Sequence, residues 1–125
     1  MSLTVHIQQC GEVAVVSVVG ELDLVTAPRL QEHITDLLDR GRSRLVFDLT
    51  QVSFCDSTGL ATFIHAKNSC DEAGGCVRLA APQRDVLRIL EVCGLVEVLR
   101  TYPTVEQAVN PTASSAPGRY PSSSM

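Results

Sequence analysis

The residues with the most chemical potential in this chain stand in a row: Asp56, Ser57 and Thr58, followed by Gly59. They lie in "LTQVSFCDSTGLATFIHA", Leu49 to Ala66, between an apolar run and a helix-patterned segment. Three oxygen-bearing side chains at a helix start have three chemical uses. They can cap the helix by accepting from its orphan N–H groups, a contribution of ~1 kcal/mol. They can supply a nucleophilic hydroxyl. They can offer a hydroxyl for covalent modification.

A nucleophile needs a base within hydrogen-bond reach. The pattern here is not G-x-S-x-G, and His65, the nearest downstream histidine, lies on the same helix, ~12 Å up its axis from Ser57. His6 and His33 fall on faces that the patterning sends to solvent. Glu21, Asp23 and Asp56 could gather around a metal ion, but no spacing among them specifies one, and a loop of solvated acids is the plainer reading. No metal or cofactor is expected.

The totals limit the partners. With 125 residues, 45% hydrophobic and 19% charged, the chain can build one core and has no room for a second domain. Ten basic residues against fourteen acidic ones give a net charge of −4, which provides no basic footprint for nucleic acid or an anionic membrane. No apolar run approaches the ~20 residues that cross a bilayer, and the N-terminus lacks a signal pattern. The expected location is therefore the cytoplasm. Five scattered cysteines, Cys10, Cys55, Cys70, Cys76 and Cys93, form neither a C-x-x-C pair nor a zinc spacing with histidine, so they read as reduced, mostly buried thiols.

The elements that must position Ser57 follow from periodicity. Leu3, Val5 and Ile7 alternate with polar residues, as in an edge strand with His6 on its wet face. "VAVVSVV", Val13 to Val19, suits a central strand covered on both faces. Thr26 and Pro28 predict a capped helix start, Leu30, Ile34, Leu37 and Leu38 its inner face, and Gly41 its end. "RLVFDL", Arg44 to Leu49, reads as a buried parallel strand. A helix follows the Asp-Ser-Thr turn and stops by Gly74 and Gly75. "CVRLAA" is a strand; Pro82 opens a helix with Val86, Leu87, Leu90 and Cys93 inward; "LVEVL" and "TVEQAVN" make a last strand and helix. The fold class is α/β, a single mixed β-sheet of about five strands with about four α-helices. Right-handed crossovers would gather the strand-to-helix loops, including Glu21 to Thr26, at the end where Ser57 lies. Residues 1–110 form the domain; 111–125 read as a disordered Pro/Ser-rich tail.

"GELDLVTAP", Gly20 to Pro28, followed about thirty residues later by "DLTQVSFCDSTGLATFIHA", resembles the anti-sigma factor antagonist branch of the STAS family (sulphate transporter and anti-sigma factor antagonist). The likeness covers essentially Leu3 to Asn110. It implies the STAS fold and a bacterial regulator. It also implies phosphorylation of Ser57 by a partner that is both an anti-sigma factor and a serine kinase, with a phosphatase acting on phosphorylated Ser57. The acid of the family's G-E-[LIV]-D loop, implicated in engaging the kinase, matches Asp23; Asp56, Thr58, Gly59 and Leu60 fill the remaining motif positions. The partner-binding set expected here is Glu21, Asp23, Asp56, Ser57, Thr58 and Gly59. The family's other branch implies a rival role, a regulatory subunit of a membrane transporter complex.

The physics of such a turn suits a switch. A phosphate on the first helical turn meets the positive end of the helix dipole and free amides, so the scaffold can keep its shape. It adds about −1.5 to −2 charges. At ~5 Å from a partner's carboxylate and an effective dielectric of ~20, each opposing unit charge costs on the order of 3 kcal/mol, about a hundredfold in affinity. The glycine at 59 lets another backbone come close to the helix start. Leu60 reads as core. The chain carries no G-x-x-x-x-G-K-[ST] loop, which assigns the ATP chemistry to the partner.

Overall fold

A computed structural model of the chain describes residues 2–111. Two strands open it, β1 (Leu3–Cys10) and β2 (Val13–Leu22), followed by α1 (Ala27–Asp39), β3 (Arg44–Cys55), α2 (Ser57–Glu72), β4 (Cys76–Ala80), α3 (Arg84–Val92), β5 (Thr101–Tyr102) and α4 (Val105–Val109). The strands lie side by side in chain order. β1 pairs antiparallel with β2, and the β2–β3, β3–β4 and β4–β5 pairs are parallel. This is the mixed five-stranded, four-helix arrangement expected from the sequence. The tail expected at 111–125 lies, beyond its first residue, outside the described residues.

The main core forms where one face of the sheet meets three helices. Ala14, Val16 and Val18 of β2, Leu45, Phe47 and Leu49 of β3 and Val77 and Leu79 of β4 pack on Leu30 and Ile34 of α1, Phe63 and Ala66 of α2 and Val86 and Leu90 of α3. The Phe47 and Phe63 rings meet with centroids 5.1 Å apart in a tilted contact. On the other face, Ala108 of α4 covers Val13, Val15, Val46, Ala80 and Tyr102. β2 is thus buried on both faces only over its first half, since Ser17 and Val19 are half-buried. The edge position of β1 and the exposure of His6 agree with the alternation in the sequence.

The ends of α1, α2 and α3 follow one device. The amide of Gly41 bonds to Leu38 O and that of Arg42 to Leu37 O, the paired bonds that close a helix when the residue after the cap turns left-handed; φ of Gly41 is +79°. α2 and α3 repeat the pattern at Gly74 and Gly94.

Several details differ from the sequence reading: β2 runs past Val19 to Leu22, and α3 starts at Arg84, two residues after Pro82. β3 continues past Leu49 to Cys55. Its pairing with β2 slips between Ser17 and Val19 and again between Gly20 and Glu21, so inward positions run Leu49, Val52, Cys55 and no longer alternate. "LVEVL" is not a strand: Leu99 N–H bonds to Leu95 O at 2.9 Å and Thr101 N–H to Val96 O at 3.0 Å, and the strand is Thr101–Tyr102. Leu95, Val96 and Leu99 fit a helical turn as well as an alternation, and Val98, inward in a strand, is exposed. Cys93, expected inward, is exposed just past the end of α3.

Candidate functional site

The start of α2 is built by Asp56. Extended at φ −100°, ψ −170°, it stands at the N-cap, and its Oδ1 accepts from the Gly59 amide at 3.0 Å while its carbonyl accepts from Leu60 N–H. The side-chain cap is therefore supplied by Asp56, without the two hydroxyls that follow. Ser57, the first helical residue, is exposed, and among the described residues its Oγ has no hydrogen-bond partner. Thr58 is half-buried. The amides of Ser57 and Thr58 lie in the first turn, where no intrahelical carbonyl reaches them, at the positive end of a 16-residue helix.

Beside it lies the β2–α1 loop, organised by Asp23. Its Oδ1 accepts from the amides of Val25 and Thr26, both at 3.0 Å, and lies 3.2 Å from Thr26 Oγ1. The Thr26 amide foremost, with the Val25 amide and Thr26 hydroxyl, holds the Asp23 carboxyl below the ordinary 3.8, against a smaller opposing effect of desolvation. Thr26, expected to cap α1, occupies the N-cap position but does not cap: its hydroxyl donates to Glu21 O at 2.7 Å and accepts from Asp23 N–H at 3.0 Å. The side chain is committed backwards into the loop, and Pro28, as expected, lies in the first helical turn.

The two loops are joined directly. Leu22 pairs with Cys55 at the end of the β2–β3 ladder, and the Asp56 amide donates to Leu22 O at 3.2 Å. A methyl group on Gly59 would stand 2.8 Å from Cys55 Sγ, 2.9 Å from Leu22 Cγ and 3.0 Å from Leu22 O. The backbone that comes close to the helix start is thus the chain's own, and Gly59 is buried by it. Glu21 is half-buried and faces Phe54 across the ladder. One end of the parallel strands therefore brings together Glu21, Asp23, Asp56, Ser57 and Thr58, with Gly59 as the packing point beneath them.

Comparison with known proteins decides the family. The family model described as the STAS domain matches residues 4–108. The chain belongs to the STAS domain family. Among curated relatives it is 34% identical over 110 residues to the anti-sigma-F factor antagonist RsfB of Mycobacterium tuberculosis, covering 86% of this chain and 88% of that protein. It is 29% identical over 99 residues to the anti-sigma-B factor antagonist of Bacillus subtilis, covering 79% and 90%. Among solved structures, an anti-sigma factor antagonist from Mycobacterium paratuberculosis superposes with a TM-score of 0.78 at 32% identity, over 86% of this chain and 92% of that one. The resemblance carried by "GELD" and "DSTGL" is thereby confirmed at the level of the family.

The other chemistry-bearing residues of this STAS domain lie away from Ser57 or are quiet. His6, with Ser17, Asp48 and Gln51, lines a shallow depression of about 190 Å³ on the sheet face that carries α4, opposite α2. His65 is exposed further along α2. Among the described residues no group of three or more His, Cys, Asp and Glu side chains is arranged to hold a metal ion. Burial, reinforced by the charge of Asp56, pushes the Cys55 thiol up to about 12, so it stays protonated. Among the described residues no helix is long and apolar enough to cross a membrane.

Sequence reasoning missed three residues of this end: Leu24, Val25 and Phe54, all exposed. The signal was present, as apolar side chains in a loop and at a strand end that no core-facing period accounts for.

Proposed function

We propose that the protein is an anti-sigma factor antagonist governed by phosphorylation of Ser57. In the unphosphorylated state it binds, through the Glu21–Thr26 loop and the start of α2, an anti-sigma factor that is also a serine kinase, and so frees a sigma factor. The kinase, using ATP and magnesium of its own, transfers a phosphoryl group to Ser57 Oγ and the complex separates. A phosphatase removes it and restores the antagonist. The protein acts as substrate and ligand, with no catalytic residue of its own.

The observation that carries this reading is the division of labour at the start of α2: Asp56 supplies the side-chain cap, and among the described residues the exposed Ser57 hydroxyl is unengaged beside the Asp23 loop. A phosphoryl group there lies next to first-turn amides, so the modified protein keeps its fold while its surface gains about −1.5 to −2 charges among Asp23 and Asp56. The names borne by the relatives, anti-sigma-F and anti-sigma-B factor antagonist, support the general role.

The test is phosphorylation by the cognate anti-sigma factor with Mg-ATP. Wild-type protein is expected to gain a single phosphoryl group, mapped by peptide fragmentation to Ser57 and not Thr58; Ser57→Ala should gain none and still bind; Ser57→Asp should fold normally and bind poorly. Tight binding by Ser57→Asp would overturn the electrostatic mechanism.

A further inference from the structure

The Ser57 end of the sheet leaves large apolar side chains in the open. Leu24 is 71% exposed, Val25 77% and Phe54 47%. Among the described residues the other exposed large apolar side chains are Ile7 on β1, Val92 at the end of α3 and Val98 between α3 and β5. Phe54 faces Glu21, one ladder position before the Leu22–Cys55 pair. Leu24 and Val25 follow Leu22 on the other side of the same junction, in a loop whose shape is not left to chance. Asp23 Oδ1 takes the amides of Val25 and Thr26, and Thr26 Oγ1 spans from Glu21 O to Asp23 N–H. A loop fixed by this many bonds presents two aliphatic side chains outward in one geometry, which lowers the ordering cost of docking on them.

Among the described residues the hydrogen bonds of the Asp23 side chain fall on Oδ1, an atom that an asparagine also possesses. Loop shape can therefore be separated from charge at this position. The acids Glu21, Asp23 and Asp56 around the patch disfavour an anionic lipid surface, and they disfavour a second copy of this chain, which would bring like charges face to face. They fit a protein partner whose surface is apolar at its centre and carries basic groups at its rim.

Building on the partner-switching reading, we infer that Leu24, Val25 and Phe54 form the apolar contact by which the unphosphorylated protein holds its anti-sigma factor, with Asp23 as a positioning residue that shapes the loop through Oδ1. The phosphoryl group on Ser57 then acts by placing a hydrated dianion at the border of a contact that must be dry.

The experiment measures affinity for the purified anti-sigma factor that binds wild-type protein and phosphorylates it. Leu24→Ser and Phe54→Ser should each weaken binding about tenfold or more, as central interface residues do, while Val98→Ser, exposed but remote, should not. Asp23→Asn should bind within about threefold of wild type and Asp23→Ala should lose about tenfold, with faster amide exchange at Val25 and Thr26 only in the alanine variant. Melting temperatures confirm that each variant is folded. Leu24→Ser and Phe54→Ser binding like wild type would overturn the contact. Asp23→Asn as weak as Asp23→Ala would overturn the positioning role, since the charge itself would then be what the partner reads. If no anti-sigma factor binds even the wild-type protein, the partner-switching reading fails first and this inference falls with it, a result distinguishable from either of the others.

Discussion

The Asp56 amide donates to Leu22 O at 3.2 Å, while the Asp56 carboxylate accepts from Gly59 N–H at 3.0 Å. One residue thus anchors the end of β2 and the start of α2 to each other, and the loop carrying Asp23 is held against the helix carrying Ser57. The site is a junction of two strand ends, and its parts can be perturbed separately.

Removing the cap should weaken the domain without altering its architecture. Asp56→Ala leaves the Gly59 amide without its acceptor and is expected to cost ~1 kcal/mol, with Asp56→Asn costing less because asparagine caps nearly as well. Urea denaturation of the three proteins at neutral pH checks the order.

Gly59→Ala should be destabilising although alanine is the better helix former. The added methyl would press on Cys55 Sγ and Leu22 Cγ at under 3.0 Å, in a junction with no slack. Overpacking of this kind typically costs ~1–3 kcal/mol, more than the ~1 kcal/mol of helix propensity gained. A fall in the denaturation midpoint is the expected result.

Asp23 makes loop stability depend on acid. Its carboxyl is depressed in the folded state, chiefly by the Thr26 amide, so its contribution is fully present above the ordinary 3.8 and is lost as pH falls through the lower folded value. Asp23→Asn keeps the acceptor and removes the titration. Between about pH 5 and pH 2 the melting temperature of this variant should fall less than that of wild type.

The cysteines should react in order of access and acidity. Cys93 is exposed and should be alkylated first. Cys55 is buried, with its thiol pushed up to about 12, and should react only when the domain opens. Mass-resolved time courses with iodoacetamide, with and without urea, separate the two.

Much of this site was legible in the sequence because it is made of local signals. The run of Asp, Ser, Thr and Gly before an apolar helix face marks a capped helix start whatever the tertiary structure, and the continuous run Val13–Val19 marks the strand beside it. Illegible features depended on partners distant in sequence. Pairing slips between β2 and β3 break the alternation after Leu49, so the strand appeared to end six residues early. Thr26 looks like a cap from its neighbours, but Glu21 O and Asp23 N–H claim its hydroxyl. Gly59 invites an outside visitor until Leu22 is seen to occupy the space.

The two slips in the β2–β3 pairing have a consequence for how this family can vary. Between the pairs Ala14–Leu45 and Leu22–Cys55, β3 spends two residues more than β2, and because side chains alternate, two extra residues cancel: Cys55 still faces the helices and Phe54 still faces out. A single-codon insertion or deletion between Thr50 and Ser53 would invert that parity, driving Phe54 inward and turning the Ser57 helix about its own axis. Length changes in this stretch should therefore survive in relatives only as even numbers.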